Sequence, residues 1–235
     1  LLDTSETWQT YSSWGGASGI VVSNLSANVQ YEFLCRAKNV YDNITQWSTS
    51  NSTWTLCIQP SLSYILTIST SQIRTDIQPY DNPDYSEYSI KVLSQGVTYY
   101  VESDYKLSGT EVFQTTSVWG ADFNVIDLNP NTPYEFSARA RNQQLVKTSY
   151  SSTLSTYTYA NVPSTPTVTG DWDESYSFHC DIMVQPNSNP SWTEYAVMWD
   201  TSPVYWLDGG GSTSTYEVWQ ATTVWLHGGL AEATT

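Results

Sequence analysis

One phrase occurs three times in this chain: TWQTYSSW at 7–14, VFQTTSVW at 112–119 and VWQATTVW at 218–225. Trp14 and Trp119 stand 105 residues apart, and Trp119 and Trp225 stand 106 apart. Downstream, LSANVQYEFLCRAKN (25–39) matches LNPNTPYEFSARARN (128–142) at an offset of 103, and STWT (52–55) matches STYT (155–158) at the same offset. Upstream, QPYDNPDYSEYSI (78–90) matches QPNSNPSWTEYAV (185–197) at an offset of 107. A period of this size is too long for a solenoid unit and suits a small independent domain, so the chain reads as a tandem array of domains.

The kind of domain follows from composition and periodicity. Charged residues make up 13% of the chain and aromatics 14%, with 11 Trp and 18 Tyr. This is a strand-forming composition, and amphipathic helix patterns are missing. Within each copy the period is two. Tyr31, Phe33, Cys35 and Ala37 point one way around Glu32, Leu34 and Arg36; Tyr134, Phe136, Ala138 and Ala140 do the same around Glu135, Ser137 and Arg139. Tyr88, Ile90 and Val92 alternate with Ser89 and Lys91. Asn82-Pro83 and Asn189-Pro190 punctuate the same loop of two copies. Short alternating strands with frequent turn signals predict an all-β fold of antiparallel β-sandwiches.

The run Leu25…Tyr31-x-Phe33…Ala37-x-Asn39 resembles fibronectin type III domains, as does Leu128-x-Pro130-x-Thr132-x-Tyr134-x-Phe136…Ala140-x-Asn142. The resemblance extends over the whole chain and is most specific in its E–F–G half. It implies tandem immunoglobulin-like sandwiches. It also implies corner tyrosines at Tyr31 and Tyr134, each hydrogen-bonded to the preceding loop, with Leu25 and Leu128 plugging the core beneath them. In this register the repeated phrase lies before strand E. Residues 1–58 are then the C-terminal part of one fibronectin type III domain, 59–160 a complete one, and 161–235 the N-terminal part of a third. Neither partial unit closes a two-sheet core alone. The chain reads as a window from a longer repeat protein; complementation between half-domains of neighbouring chains is the alternative.

Eight Lys and Arg against 23 Asp and Glu give a net charge of −15, which disfavours nucleic acid as a partner. No apolar run reaches transmembrane length, so no membrane insertion is expected of this segment. Cys35 falls on the inward face of strand F and Cys180 on strand B of the third unit. An immunoglobulin-like B–F disulfide would use these positions, each with a partner in the other half of its own domain; the alternative is two small buried thiols. Cys57 falls at the end of strand G or in the linker. Asn24, Asn43 and Asn51 open N-glycosylation sequons, with Asn43 best placed, in the F–G loop. Asp81 and Asp84 in one loop, and Asp171, Asp173 and Glu174 near a linker, offer oxygen for interdomain calcium. Neither stretch has an EF-hand spacing, and solvated loop acid is the competing reading. No other cofactor is implied, and the absence of a C-x-x-C or His/Cys cluster disfavours zinc. DGGGS (208–212) reads as a hairpin turn. QWSTSNSTW (46–54) faintly resembles a cytokine-receptor Trp-Ser-x-Trp-Ser signature with the wrong spacing, so Trp47 is expected to cover a sheet face beside Arg36.

No catalytic constellation appears, and the two histidines, His179 and His227, both fall in the third unit, so no enzyme is expected. Three classes remain: an extracellular structural or adhesive surface array, such as a filament or layer subunit; a ligand-binding receptor segment; and a spacer or glycan-binding module of a carbohydrate-active enzyme, with Trp8 or Trp219 as a sugar platform. The expected partners are adjacent domains, neighbouring copies and glycans.

Overall fold

The computed structural model describes residues 7–171, 179–199, 204–207, 212–221 and 224–228. In the first unit a 3-10 turn at Gly16–Ser18 precedes two strands, β1 (Gln30–Phe33) and β2 (Asn51–Trp54), paired antiparallel with Tyr31 opposite Thr53.

The middle unit is a complete sandwich. Its strands are β3 (Ser61–Thr67), β4 (Ile73–Gln78), β5 (Glu87–Ser94), β6 (Val97–Val101), β7 (Leu107–Ser108), β8 (Gln114–Thr115), β9 (Phe123–Val125), β10 (Pro133–Arg141) and β11 (Leu154–Tyr157). One sheet runs β3-β4-β9 and the other β11-β10-β5-β6-β7, with β8 also on β5. In the register implied by the resemblance to fibronectin type III domains, these strands stand where A-B-E and G-F-C-C′ are expected. Local sequence sets the pairing. Ser94 pairs with Val97, and the intervening Gln95 and Gly96 both have positive φ, 49° and 79°. A two-residue loop of that kind matches the right-handed twist of β5 and β6, and glycine adopts it without a Cβ penalty.

The alternation read from the sequence becomes the core. Phe136, Ala138 and Ala140 of β10 face Val92, Ile90 and Tyr88 of β5, and all six are buried. Ile73 and Ile77 of β4 and Phe123 and Val125 of β9 close the other side. The repeated phrase contributes the plug between them. Trp119 ends a single helical turn, α1 (Thr116–Trp119), and is 1% exposed. Its indole N–H donates to the Tyr88 carbonyl at 3.0 Å, while its ring lies 5.6 Å from that of Phe123, which in turn stacks on Tyr105 at 5.7 Å. One side chain therefore bonds to one sheet and packs on the other. Cys57 also packs into this core, and burial pushes its thiol pKa up against a smaller opposing effect of Ser86.

The third unit contains β12 (Ser164–Asp171), β13 (His179–Gln185), β14 (Val197–Trp199), β15 (Tyr205–Leu207), β16 (Thr213–Ser214) and β17 (Val224–Gly228). They form two sheets, β12-β13-β17 and β14-β15-β16. Val184, Tyr195 and Leu207 are buried together. Tyr195 bridges Gln220 as Tyr88 pairs with Gln114, so the phrase keeps its register. Its last tryptophan does not. Trp225 lies inside β17 opposite Ile182, where the sequence register placed the whole phrase before this strand. Val-Trp-Leu is a run of strand formers, and pairing with β13 extends through it. The DGGGS turn lies largely outside the described residues, although Leu207 and Thr213 on its two sides pair.

Candidate functional site

The outward face of β10 carries the most organised group of charged and aromatic side chains. Alternation that turns Phe136, Ala138 and Ala140 inward turns Arg139 and Arg141 outward. Arg139 donates through Nε to Glu111 Oε1 at 2.7 Å and through its terminal nitrogen to Oε2 at 2.5 Å. Lys147 Nζ reaches the same Oε2 at 2.8 Å, and the Tyr150 hydroxyl donates to Oε1 at 3.0 Å. The guanidinium of Arg139 lies 4.4 Å from the Tyr150 ring centre, and that of Arg141 lies 4.4 Å from Phe113. Lys91 adds a further rung 4.2 Å from Tyr150. Cations and rings thus alternate along the face, held by cation–π attraction and one partly buried carboxylate. Burial pushes the Glu111 pKa up, but the bonds from Arg139, Lys147 and Tyr150 outweigh it and hold the carboxyl down to about 2. Burial and the neighbouring Glu111 raise the Tyr150 phenol.

The first unit builds a shorter version at matching positions. Arg36 lies 4.4 Å from the Trp47 ring and 5.8 Å from Trp8, and Lys38 lies 5.1 Å from Trp8. Arg36, Lys38 and Trp47 precede Arg139, Arg141 and Tyr150 by 103 residues, and Trp8 precedes Phe113 by 105. Glu6, the counterpart of Glu111, lies outside the described residues. In this ladder Glu111 accepts from Arg139 and Lys147, and Glu87 pairs with Arg141, so cations outnumber carboxylates here, and no nucleophile is paired with a base among the described residues. Its chemistry is that of a cross-braced surface of cations and aromatic rings. The sequence signals it only as the recurrence of aromatic, arginine and aromatic at these spacings, and no local motif marks Glu111, Phe113, Lys147 or Tyr150.

The Tyr134 hydroxyl accepts a hydrogen bond from the Asn129 N–H at 2.9 Å, and the Tyr31 hydroxyl one from Ser26 N–H at 2.9 Å. Leu128 is buried; Leu25 is half-buried. Asn24, Asn43 and Asn51 are all exposed. Cys35, Cys57 and Cys180 are free thiols, with Cys35 exposed and Cys180 half-buried. Cys35 is exposed rather than buried because β1 ends at Phe33 and no second sheet covers this face among the described residues. The same cause leaves Phe33 45% exposed where its counterpart Phe136 is fully buried. A groove of about 1480 Å³ runs beside this uncovered segment, lined by Trp14, Ile20, Val22 and Phe33 and, from the ladder, by Trp8 and Trp47. Asp81 and Asp84 are exposed; the side chains of Asp171, Asp173 and Glu174 lie outside the described residues, as do those of His179 and His227. Among the described residues no three His, Cys, Asp or Glu converge on a metal position, and no helix is long and apolar enough to cross a membrane.

No family model and no curated protein matches this sequence. Solved structures similar to it include a two-domain fibronectin type III segment, two domains of an extracellular region and an FN1–FN3 segment. The two-domain fibronectin type III segment of chicken tenascin shares 16% identity over 74% of this chain and 84% of that one, with a TM-score of 0.44. Domains d3–d4 of the rat CD45 extracellular region share 19% over 66% and 77%, with a TM-score of 0.37. The FN1–FN3 domains of chicken CNTN1 share 15% over 57% of this chain, with a TM-score of 0.35; the present chain covers 44% of that segment's length.

Proposed function

We propose that this chain is a non-catalytic part of an extracellular structural or adhesive array, in which consecutive sandwiches present the same face to neighbouring molecules. The observation that carries this reading is the ladder, built at matching positions of two successive units. A contact made by one unit is then available to the next, and weak lateral contacts add through multivalency. Few lysines and abundant Tyr, Ser, Thr and Asn suit close, hydrogen-bonded packing between strings. A filament or layer is the assembly such contacts build, and a glycan at the exposed Asn43 suits a surface location. Electron microscopy of native material tests the reading. Recurring side-to-side order supports it, and isolated strings without lateral contact refute it. A second reading, a glycan-binding module, is favoured by Trp219, which is 55% exposed. Its test is glycan-array binding abolished by Trp219→Ala.

A further inference from the structure

The two junctions between units use the same hydrogen bonds. At the first, the Asn28 side-chain amide donates to Ser86 Oγ at 2.8 Å; at the second, Asn131 donates to Thr193 Oγ1 at 2.8 Å. The backbone carbonyl of Asn28 accepts from the Tyr85 hydroxyl at 2.6 Å, and that of Asn131 accepts from the Trp192 indole N–H at 3.1 Å. The Asn82 side chain accepts from the Ile58 N–H at 2.7 Å and donates to the Ile58 carbonyl at 2.8 Å; Asn189 grips the N–H and carbonyl of Asn161 at the same two distances. Asn28 and Asn131 also share a left-handed backbone, with φ of 48° and 42°, a conformation asparagine tolerates better than most residues. Their own N–H groups donate to Leu56 and Tyr159, again 103 residues apart.

The exchange of Tyr85 for Trp192 is the most informative difference. A phenol and an indole share little shape, yet each delivers one donor to the same carbonyl, so the position keeps the bond rather than the residue. Burial gives the set its weight. Asn28 and Ser86 are fully buried, Thr193 is 4% exposed and Asn82 is 7% exposed. Buried amides without partners are costly, so units that slip or rotate at the junction lose several bonds together. At the first junction the F–G loop adds to the grip: Asn142 Nδ2 donates to the Thr55 carbonyl at 3.0 Å, and the Gln143 N–H donates to Asn28 Oδ1 at 3.1 Å.

We propose that Asn-Pro-x-(Tyr/Trp)-(Ser/Thr), at 82–86 and 189–193, is a docking motif whose partner is the E–F corner asparagine and linker of the preceding unit. The motif locks each unit onto the one before it in a single register. The lock rests on the tandem arrangement alone and not on what the ladder face binds, so failed lateral order in micrographs leaves it standing.

Residue-resolved hydrogen exchange on the whole chain tests it. The linker amides of Ile58 and Asn161 and the loop amide of Gln143 should exchange far more slowly than a free linker. Trp192→Phe, at a half-exposed ring, removes the donor along with part of the ring and should speed exchange at Asn161 by at least roughly fivefold, the loss of one hydrogen bond. Trp192→Tyr should restore protection, because a tyrosine fills this role at position 85. Tyr85→Phe should act alike on Ile58, and the core amides of Ile90 and Val92 should not change in any variant. Asn28→Ala should break the first joint, and residual dipolar couplings should then need separate alignment tensors for the first and middle units where the parent chain needs one. If that variant fails to fold, the Phe and Tyr exchanges still decide. Free-linker exchange in the parent chain, or no response to either Phe substitution, overturns the proposal.

Discussion

Glu111→Gln removes the charge that three donors share while keeping the volume and one acceptor oxygen. The Glu111 carboxyl sits at about 2 against an ordinary 4.5, burial raising it and the bonds from Arg139, Lys147 and Tyr150 lowering it more. At about 1.4 kcal/mol per pH unit, that depression is worth about 3 kcal/mol at neutral pH. Most of it should come from Arg139, whose side chain is 19% exposed beside a 14% exposed Glu111. Lys147, at 41%, is screened by water and contributes less. A folded pKa below the unfolded one adds stability that is full above 4.5 and is lost as pH falls towards 2. Glu111→Gln should therefore destabilise the middle unit by about 2–3 kcal/mol at pH 7, part of it from the unpaired Arg139, and the gap to the parent chain should close as the pH falls towards the folded pKa. Urea unfolding from pH 7 down to pH 2, followed through exchange of the Ile90 and Val92 amides, measures this difference. A loss that is constant with pH would assign the effect to packing, and no loss at pH 7 would mean that the ion pair is too solvated to matter.

Tyr134→Phe leaves the Asn129 N–H without its acceptor and should cost roughly 1–2 kcal/mol; an unchanged denaturation midpoint would rule out that contribution. Tyr31→Phe should cost less, because Tyr31 is only half-buried. Trp119→Ala empties the site between the sheets and should destabilise by about 3–5 kcal/mol, which a shift in thermal midpoint would report. Alkylation of the native chain should modify exposed Cys35 at once and buried Cys57 only after unfolding; equal rates would contradict the packing of Cys57 in the middle core.

Positions governed by a simple period were legible in the sequence. Alternation placed Tyr88, Ile90, Val92, Phe136 and Ala138 on one buried face, because strand geometry turns every second residue the same way. In the middle unit, which has two sheets, these faces are covered and buried. Where only one sheet is present, alternation still gives the facing but not the burial, which is why Cys35 and Phe33 are exposed. Trp225 illustrates a different limit. Its phrase matches that of Trp119, but Val224 and Leu226 beside it let strand pairing capture the residue. The Glu111 network was not legible because it joins residues on three segments, and no local pattern ties 111 to 139 and 150.

The junctions stand between these cases. The match of QPYDNPDYSEYSI to QPNSNPSWTEYAV was visible in the sequence, and so was the match of the two corner segments. Their offsets differ, 107 and 103, so the sequence alone does not tie one to the other. In the structure they are the two halves of one contact. A motif near the start of a unit meets one near the end of the unit before it, so each half recurs with the spacing of its own position in the domain. Loop residues that only close a sandwich need keep their turn conformation. These keep donors and acceptors as well, through a change from Tyr85 to Trp192 and from Ser86 to Thr193. Turn formation asks nothing of those hydroxyl and indole groups; contact with the preceding unit does. Recurrence of side-chain chemistry on loops, where packing exerts little constraint, is thus the sequence feature that separates a joint from a tether.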